Sequence, residues 1–316
     1  MPELPDITVY IECLQSRIVG YPLDNIRIVS PFLLRSVDPP ITKAFHKKIV
    51  ALRRIGKQIV WELENEFFLI FHLMIAGRFQ WLTSELAKEQ KGAAVNRKIG
   101  LAAFDFPNGT LLLTEASTKK RASLFLTQGE STIARFNRGG LEVLDASYNE
   151  FCSTLLRENH TLKRSLTDPR LFSAIGNAYS DEILHRAQLS PLSRSQKLSH
   201  IEITRLYGST QGTLNEWTAR LRARASTSFP EKVTAFHPEM AVHGKFGQPC
   251  PVCATAVQRI AYAENECNYC PRCQTGGKIL ADRSLSRLLK DDWPKTIEEL
   301  ESDAGLNKSP RAPSKN

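Results

Sequence analysis

Four cysteines constrain this chain more than any other feature: Cys250 and Cys253 make one C-x2-C pair, and sixteen residues later Cys270 and Cys273 make a second. Each pair sets two thiolates on one tight turn, and two such turns supply the tetrahedral shell of a single structural Zn2+. Four soft ligands leave no open coordination position, so the ion is expected to stabilise the module rather than to perform chemistry. Burying all four as reduced core thiols would require an apolar surround that this short hydrophilic segment lacks. Cys267 is expected to be a spare thiol, while Cys13 and Cys152 stand far from the cluster.

Upstream, the texture of the chain changes twice. In ITVYIECLQSRIVG, Ile7, Val9, Tyr10, Cys13, Leu14 and Ile18 recur at helical spacing, which predicts a first helix capped by Asp6 and ending before Gly20. Between residues 24 and 128 the apolar runs become short and β-prone (NIRIVS, KIVALRRI, QIVWELEN, FFLIFHLM, RFQWL, LAAFDF, TLLLTE), separated by Gly, Pro and Asn. From 145 to 225, YNEFCSTLLREN, YSDEILHRAQ and SHIEITRLYGSTQGTLNEWTARLRARA return to helical spacing. The expectation is an α+β multidomain chain: a β-sandwich with an N-terminal helix over 1–128, a helical domain over 145–240, the cysteine module over 245–275, and an extension over 276–316 with a disordered end.

Lysine plus arginine exceed aspartate plus glutamate by 42 to 33, for a net charge of +9, and a surplus of that sign suits a polyanionic partner. No apolar run is long enough to span a bilayer and the N-terminus lacks a basic region followed by an apolar core, so no membrane association is expected. The expected setting is the cytoplasm, bacterial-type and nucleoid-associated, with the chain a monomer.

MPELPD at the N-terminus, the segment RLFSAIGNAYSDEIL and the four-cysteine finger, in that order, resemble the formamidopyrimidine-DNA glycosylase and endonuclease VIII family of DNA repair enzymes. The likeness spans roughly residues 2 to 275. It implies a β-sandwich, a helix-two-turn-helix domain and a zinc finger, with damaged double-stranded DNA held in the cleft between the first two. It also implies a bifunctional DNA glycosylase and abasic-site lyase of base excision repair, directed at oxidised or ring-opened bases. The alternative from another class is a non-catalytic or lyase-only binder of damaged or abasic DNA.

By this resemblance, Pro2, freed of Met1, is the nucleophile. An α-amino group titrates near about 7.7–8.0 and is partly neutral where a lysine is not. Glu3 is expected to move protons as the sugar ring opens, and Lys57, in the turn after Gly56, to meet the damaged site and its phosphate. Asp6 either orients the N-terminus or serves as a helix cap. HLMIAGRF places Ile75 where the family often has a void-filling methionine. In SAIGNAYSDEIL, Gly176 is expected to permit a tight turn and Asn177 to grip a phosphate at a helix start, with Lys163 nearby on the DNA backbone. Two departures stand out. LTEASTKKRASLFL lacks the family's arginine and aromatic wedge but keeps Lys119, Lys120 and Arg121, and Asn265 occupies the place of the finger's DNA-binding arginine. Arg259, Lys278, Arg283 and Arg287 are candidates to replace that lost charge.

Overall fold

The computed structural model describes residues 1–85, 96, 98–226, 228–230, 237–262, 265–281 and 294–306. Arg283, Arg287 and Trp293 of the tail lie outside them. The chain forms two compact units, and neither follows sequence order: one gathers Met1–Ala146, Asp168–Gly176 and Leu214–Ala235, the other Ser147–Thr167, Asn177–Thr213 and Phe236–Asn316. Among the described residues, no helix is long and apolar enough to cross a membrane.

The first unit begins with helix α1 (Leu4–Ile18), which buries Leu4, Ile7, Tyr10, Leu14 and Ile18 along one face. It starts earlier than the apolar spacing predicts. Glu3, not Asp6, is the N-cap, and Asp6 sits three residues on, its Oδ2 accepting the Glu3 N–H at 2.8 Å. That is half of a capping box, a device that leaves no periodicity signal.

Eight strands follow in two antiparallel sheets. One sheet has the order β1 (Asn25–Ile28), β6 (Gly100–Phe106), β7 (Gly109–Glu115), β5 (Gly77–Thr83). The other has the order β2 (Ile49–Ile55), β3 (Gln58–Leu63), β4 (Phe67–His72), β8 (Ser123–Gln128). Strand β8 was hidden in the sequence by the polar loop before it. One apolar core takes Trp61 and Phe71 from one sheet and Phe79 and Phe104 from the other, together with Tyr10 and Leu14 of α1. The Trp61 ring centroid lies 4.6 Å from Phe71 and 5.3 Å from Phe104, and Phe71 and Phe104 meet edge-on at 5.2 Å. Strand β3 is buried on both faces: Ile59, Trp61 and Leu63 enter this core, while Val60 packs with Phe68, Ile70 and Ile133. Hence QIVWEL reads as a run rather than an alternation.

In the second unit lie α2 (Tyr148–Leu156), α3 (Leu162–Thr167), α4 (Asn177–Arg186) and the first half of α5 (His200–Ala225). The hairpin β9 (Gln258–Tyr262) and β10 (Asn265–Tyr269) and the helices α6 (Pro271–Thr275) and α7 (Ile297–Leu306) complete it. Two buried acids of α4 organise this unit. The Glu182 carboxylate accepts the backbone N–H groups of Ala241, Val242 and His243 at 2.8, 2.9 and 3.0 Å. Asp181 receives the Asn268 N–H at 3.1 Å and pairs with His243 Nδ1 at 2.8 Å. A buried carboxylate persists only when its lone pairs are met, and here they bind a connecting loop and β10 to one helix.

Trp61→Ala should cost about 3–5 kcal/mol through the cavity it opens, measured by denaturant unfolding of the full chain.

Candidate active site and zinc module

Two of the predicted catalytic residues, Glu3 and Lys57, come together around one glycine. Glu3 is 1% exposed, and its Oε2 accepts the Gly176 N–H at 2.6 Å. A Cβ built on Gly176 would stand 2.4 Å from Glu3 Oε1 and 2.6 Å from Lys57 Nζ. Gly176 is therefore required for space at the meeting point of an acid and an amine, not for the turn expected from the sequence, and its φ is not left-handed. Leu4 N–H donates to Ala174 O at 3.1 Å and closes the start of α1 onto the same segment.

Lys57 is delivered by the two-residue turn between β2 and β3, where Ile55 pairs with Gln58 and Gly56 takes a φ of 56°. A left-handed first turn residue fits such a tight hairpin and selects glycine. Arg54 braces this turn. Its Nη1 donates to Gly56 O at 3.0 Å and to Ser173 Oγ at 3.4 Å, and its Nη2 pairs with Glu142. Arg53 points elsewhere, to Glu62 and Glu130.

Pro2 is buried, and the chain's terminal amine, on Met1, is influenced by Glu3, Arg78, Asp6 and Lys57. Burial is the largest influence and lowers that amine's pKa below its ordinary 8.0; Glu3 opposes the shift, and Arg78 and Lys57 reinforce it. His72, at the end of β4, is held down to about 4 by burial and then by the charge of Lys57, so its imidazole is neutral at neutral pH. Its Nδ1 accepts the Met74 N–H at 3.1 Å. His72 and Arg78 both belong to the HLMIAGRF stretch. Their signal was their place in that stretch, but nothing local tied them to Lys57 or to the N-terminus.

Ile75 crowns the turn between β4 and β5, 54% exposed despite its apolar side chain. The turn is closed by Gly77 N–H to Leu73 O at 2.9 Å, and a Cβ on Gly77 would meet that oxygen at 2.2 Å, so the turn is held tight beneath Ile75. In the loop after β7, Lys119 and Arg121 are exposed, whereas Lys120 folds back onto Glu115 O. Buried Glu115 shapes the loop, its Oε2 accepting the N–H groups of Arg121 and Ala122 at 2.9 and 3.1 Å.

In the second unit, Asn177 opens α4 as expected, but its Nδ2 donates to Glu266 O of β10 at 2.7 Å. Lys163 faces inward. Its ammonium donates to Asn177 O at 2.7 Å, Ser180 Oγ at 2.8 Å and Asp181 Oδ1 at 2.5 Å, so its three N–H groups engage the first turn of α4. A lysine fourteen residues upstream of a phosphate-type motif reads as basic surface; only the fold reveals the acid beneath it. Asn265 begins β10 opposite Tyr262. Arg259 lies over the Phe246 ring at 4.4 Å and pairs with Glu266 at 3.5 Å.

The sulfurs of Cys250, Cys253, Cys270 and Cys273 all lie within 4.8 Å of one another, with Cys250 and Cys273 at 3.9 Å and Cys253 and Cys270 at 3.4 Å. Zinc–sulfur bonds of about 2.3 Å in a tetrahedron place sulfurs about 3.8 Å apart, so this set fits one structural zinc. Cys267 is buried in the hairpin core with Ile260 and Tyr269, outside the sulfur set.

A sandwich that brings an N-terminal acid and a lysine together, then a helical module, then a four-thiolate finger, defines a three-module class that family models recognise in the same order. They are the formamidopyrimidine-DNA glycosylase N-terminal domain (residues 1–119), the formamidopyrimidine-DNA glycosylase H2TH domain (141–227) and the zinc finger found in FPG and IleRS (247–276). An uncharacterized formamidopyrimidine-DNA glycosylase-like protein of Mycobacterium tuberculosis is 39% identical over 152 residues, 48% of this chain and 94% of that protein. The formamidopyrimidine-DNA glycosylase of Heliobacterium modesticaldum is 29% identical over 87% of this chain and 100% of its own. A solved structure of MutM in complex with carbocyclic 8-oxo-G containing DNA superposes with a TM-score of 0.74 at 25% identity, covering 87% of this chain and 100% of that one. The chain belongs to the formamidopyrimidine-DNA glycosylase family.

Cys270→Ser should lower bound zinc below one ion per chain, measured by elemental analysis of the purified protein. Lys163→Met should cost about 3–5 kcal/mol in unfolding free energy, because it strands the Asp181 carboxylate without its cation.

Proposed function

We propose that this protein is a bifunctional DNA glycosylase and abasic-site lyase that removes oxidised or ring-opened bases from damaged double-stranded DNA through the amine of Pro2. The observation that carries this reading is the convergence of Glu3 and Lys57 on Gly176, beside a buried chain terminus. The solved relative holding 8-oxo-G containing DNA supports the choice of substrate class.

In this mechanism, removal of Met1 turns the Pro2 nitrogen into a secondary amine next to Glu3. The neutral amine attacks C1′ of the damaged nucleotide, and the electron pair of the glycosidic bond leaves with the base, which takes up a proton. Glu3 delivers a proton to the ring oxygen as the sugar opens, leaving an iminium between C1′ and Pro2. That electron sink acidifies the 2′ carbon; loss of its proton expels the 3′ phosphate, and water then hydrolyses the iminium to release Pro2. Lys57, fixed by the braced turn at Gly56, supplies positive charge for the phosphate next to the lesion. Ile75, on its tight turn, fills the space left in the base stack. Lys119 and Arg121 offer charge to the DNA backbone where the family's wedge is missing, and Asn177 offers its helix start to a phosphate.

The test is borohydride trapping on duplexes carrying an abasic site or an oxidised guanine, with the N-terminus confirmed by intact mass. Adducts at Pro2 with both duplexes are expected, and Pro2→Gly should abolish most trapping while leaving DNA affinity within a few-fold. An adduct with the abasic duplex alone would reduce the activity to that of a lyase. None with either, from protein that begins at Pro2, would leave a damage-binding protein. Gly176→Ala should keep the fold yet cut trapping at least about 100-fold, since misplacing catalytic groups by an ångström costs that much. The rate of trapping should rise with pH across about 7.7–8.0, the ordinary range of an α-amine, because the neutral amine is the reactive form.

A further inference from the structure

We infer that His185 is a hydrogen-bond donor to the zinc-bound thiolate of Cys250, and that it thereby sets how tightly the finger holds its metal and locks the finger to α4. The His185 Nε2 atom lies 3.2 Å from Cys250 Sγ, and both residues are buried, at 6% and 2% exposure. A thiolate that ligates zinc carries no proton, so it accepts only, and the N–H in this contact belongs to the imidazole. Metal loading thus fixes His185 as the Nε2–H tautomer.

The electrostatics explain why such a donor is valuable. Four thiolates around a dication leave a net double negative charge, and removing that charge from water is costly unless N–H or O–H groups face the sulfurs. Each of the other clustered thiols has a local partner or more solvent: Cys253 and Cys273 are only half-buried, Cys253 is hydrogen-bonded by Thr255, and Cys270 Sγ receives the Cys273 N–H at 3.5 Å. Cys250 is buried, and its partner outside the sulfur set is a side chain from a helix 65 residues away in sequence.

That distant origin has a structural consequence. Helix α4 begins at Asn177, whose amide holds Glu266 O of β10, and ends just past His185, whose ring meets Cys250. The helix is pinned to the finger at both ends, so the metal's hold on Cys250 is transmitted to the helix that carries Asn177. Partners of metal ligands commonly alter metal affinity by 10- to 100-fold, and His185 occupies that position here.

The experiment uses the full-length, zinc-loaded protein. Nitrogen-15 NMR of the wild type should report the Nε2–H tautomer for His185; the Nδ1–H tautomer would overturn the assignment whatever any variant does. In competition with a chromogenic chelator, His185→Phe, which keeps an aromatic ring and loses the N–H, should release zinc at least about 10-fold faster than wild type. His185→Gln, which offers an amide N–H at nearly the same reach, should recover most of the difference. With cobalt in place of zinc, the sulfur-to-metal charge-transfer band should move to longer wavelength in His185→Phe, because an unbonded thiolate is a better electron donor, and return in His185→Gln. Wild-type release rates and an unshifted band in a folded His185→Phe would show that the contact is packing alone.

Discussion

One hydrogen bond organises the candidate active site: the Gly176 N–H to Glu3 Oε2, at 2.6 Å, between residues 173 apart in sequence. It is buried, so breaking it would strand a carboxylate and an amide without water to replace either. Through it the first residues of the chain, which would otherwise fray, are held against the segment that precedes α4. Burial of Leu4 and Ile7 in α1 and the Leu4 N–H to Ala174 O bond act in the same direction. The terminus is thereby given a fixed place among charged groups.

Much of the first unit serves to bring a single amine to that place. The β2–β3 hairpin is rigid at its base because Trp61 and Ile59 are wedged in the aromatic core. At its tip, Arg54 ties the Gly56 carbonyl to Ser173 and Glu142, so Lys57 leaves a turn that is secured on both sides. The absence of a side chain at residue 176 then lets the Lys57 ammonium and the Glu3 carboxylate approach the same backbone atom. Lys57 and His72 are coupled in turn: burial and the lysine's charge hold the imidazole neutral, so the site does not accumulate a further positive charge there at neutral pH.

The second unit joins buried ionic and polar contacts to an apolar core that includes Phe151, Leu155, Leu166, Ile183 and Leu184. Asp181 and Glu182, adjacent on α4, hold between them Lys163, His243, Asn268 and the backbone of 241–243. Four thiolates fit one metal in the short finger over 247–276, where metal-binding free energy is folding free energy. Helix α4 is the element common to these devices, because its start, its buried acids and its last turn each meet a different part of the unit.

Local sequence determined those features whose cause is local. Cysteine spacing identified the ligand set, since two residues between cysteines fix the turn that places both sulfurs. Glycine before Lys57 marked a turn that needs a left-handed residue, and the short β-prone runs marked strands because each is bounded by turn residues. The first helix was legible from its spacing, but not its true cap, because the Glu3 N–H donates to the Asp6 carboxylate, a contact that carries no periodic signal. Tertiary structure alone decided the rest: that Lys163 faces Asp181, that Arg54 braces a turn, that Gly176 is needed for room rather than for flexibility, and that His185 meets a cysteine of the finger. Each of these depends on a partner between 18 and 173 residues away, and a sequence pattern records the type of a residue without recording which distant group the fold will set against it.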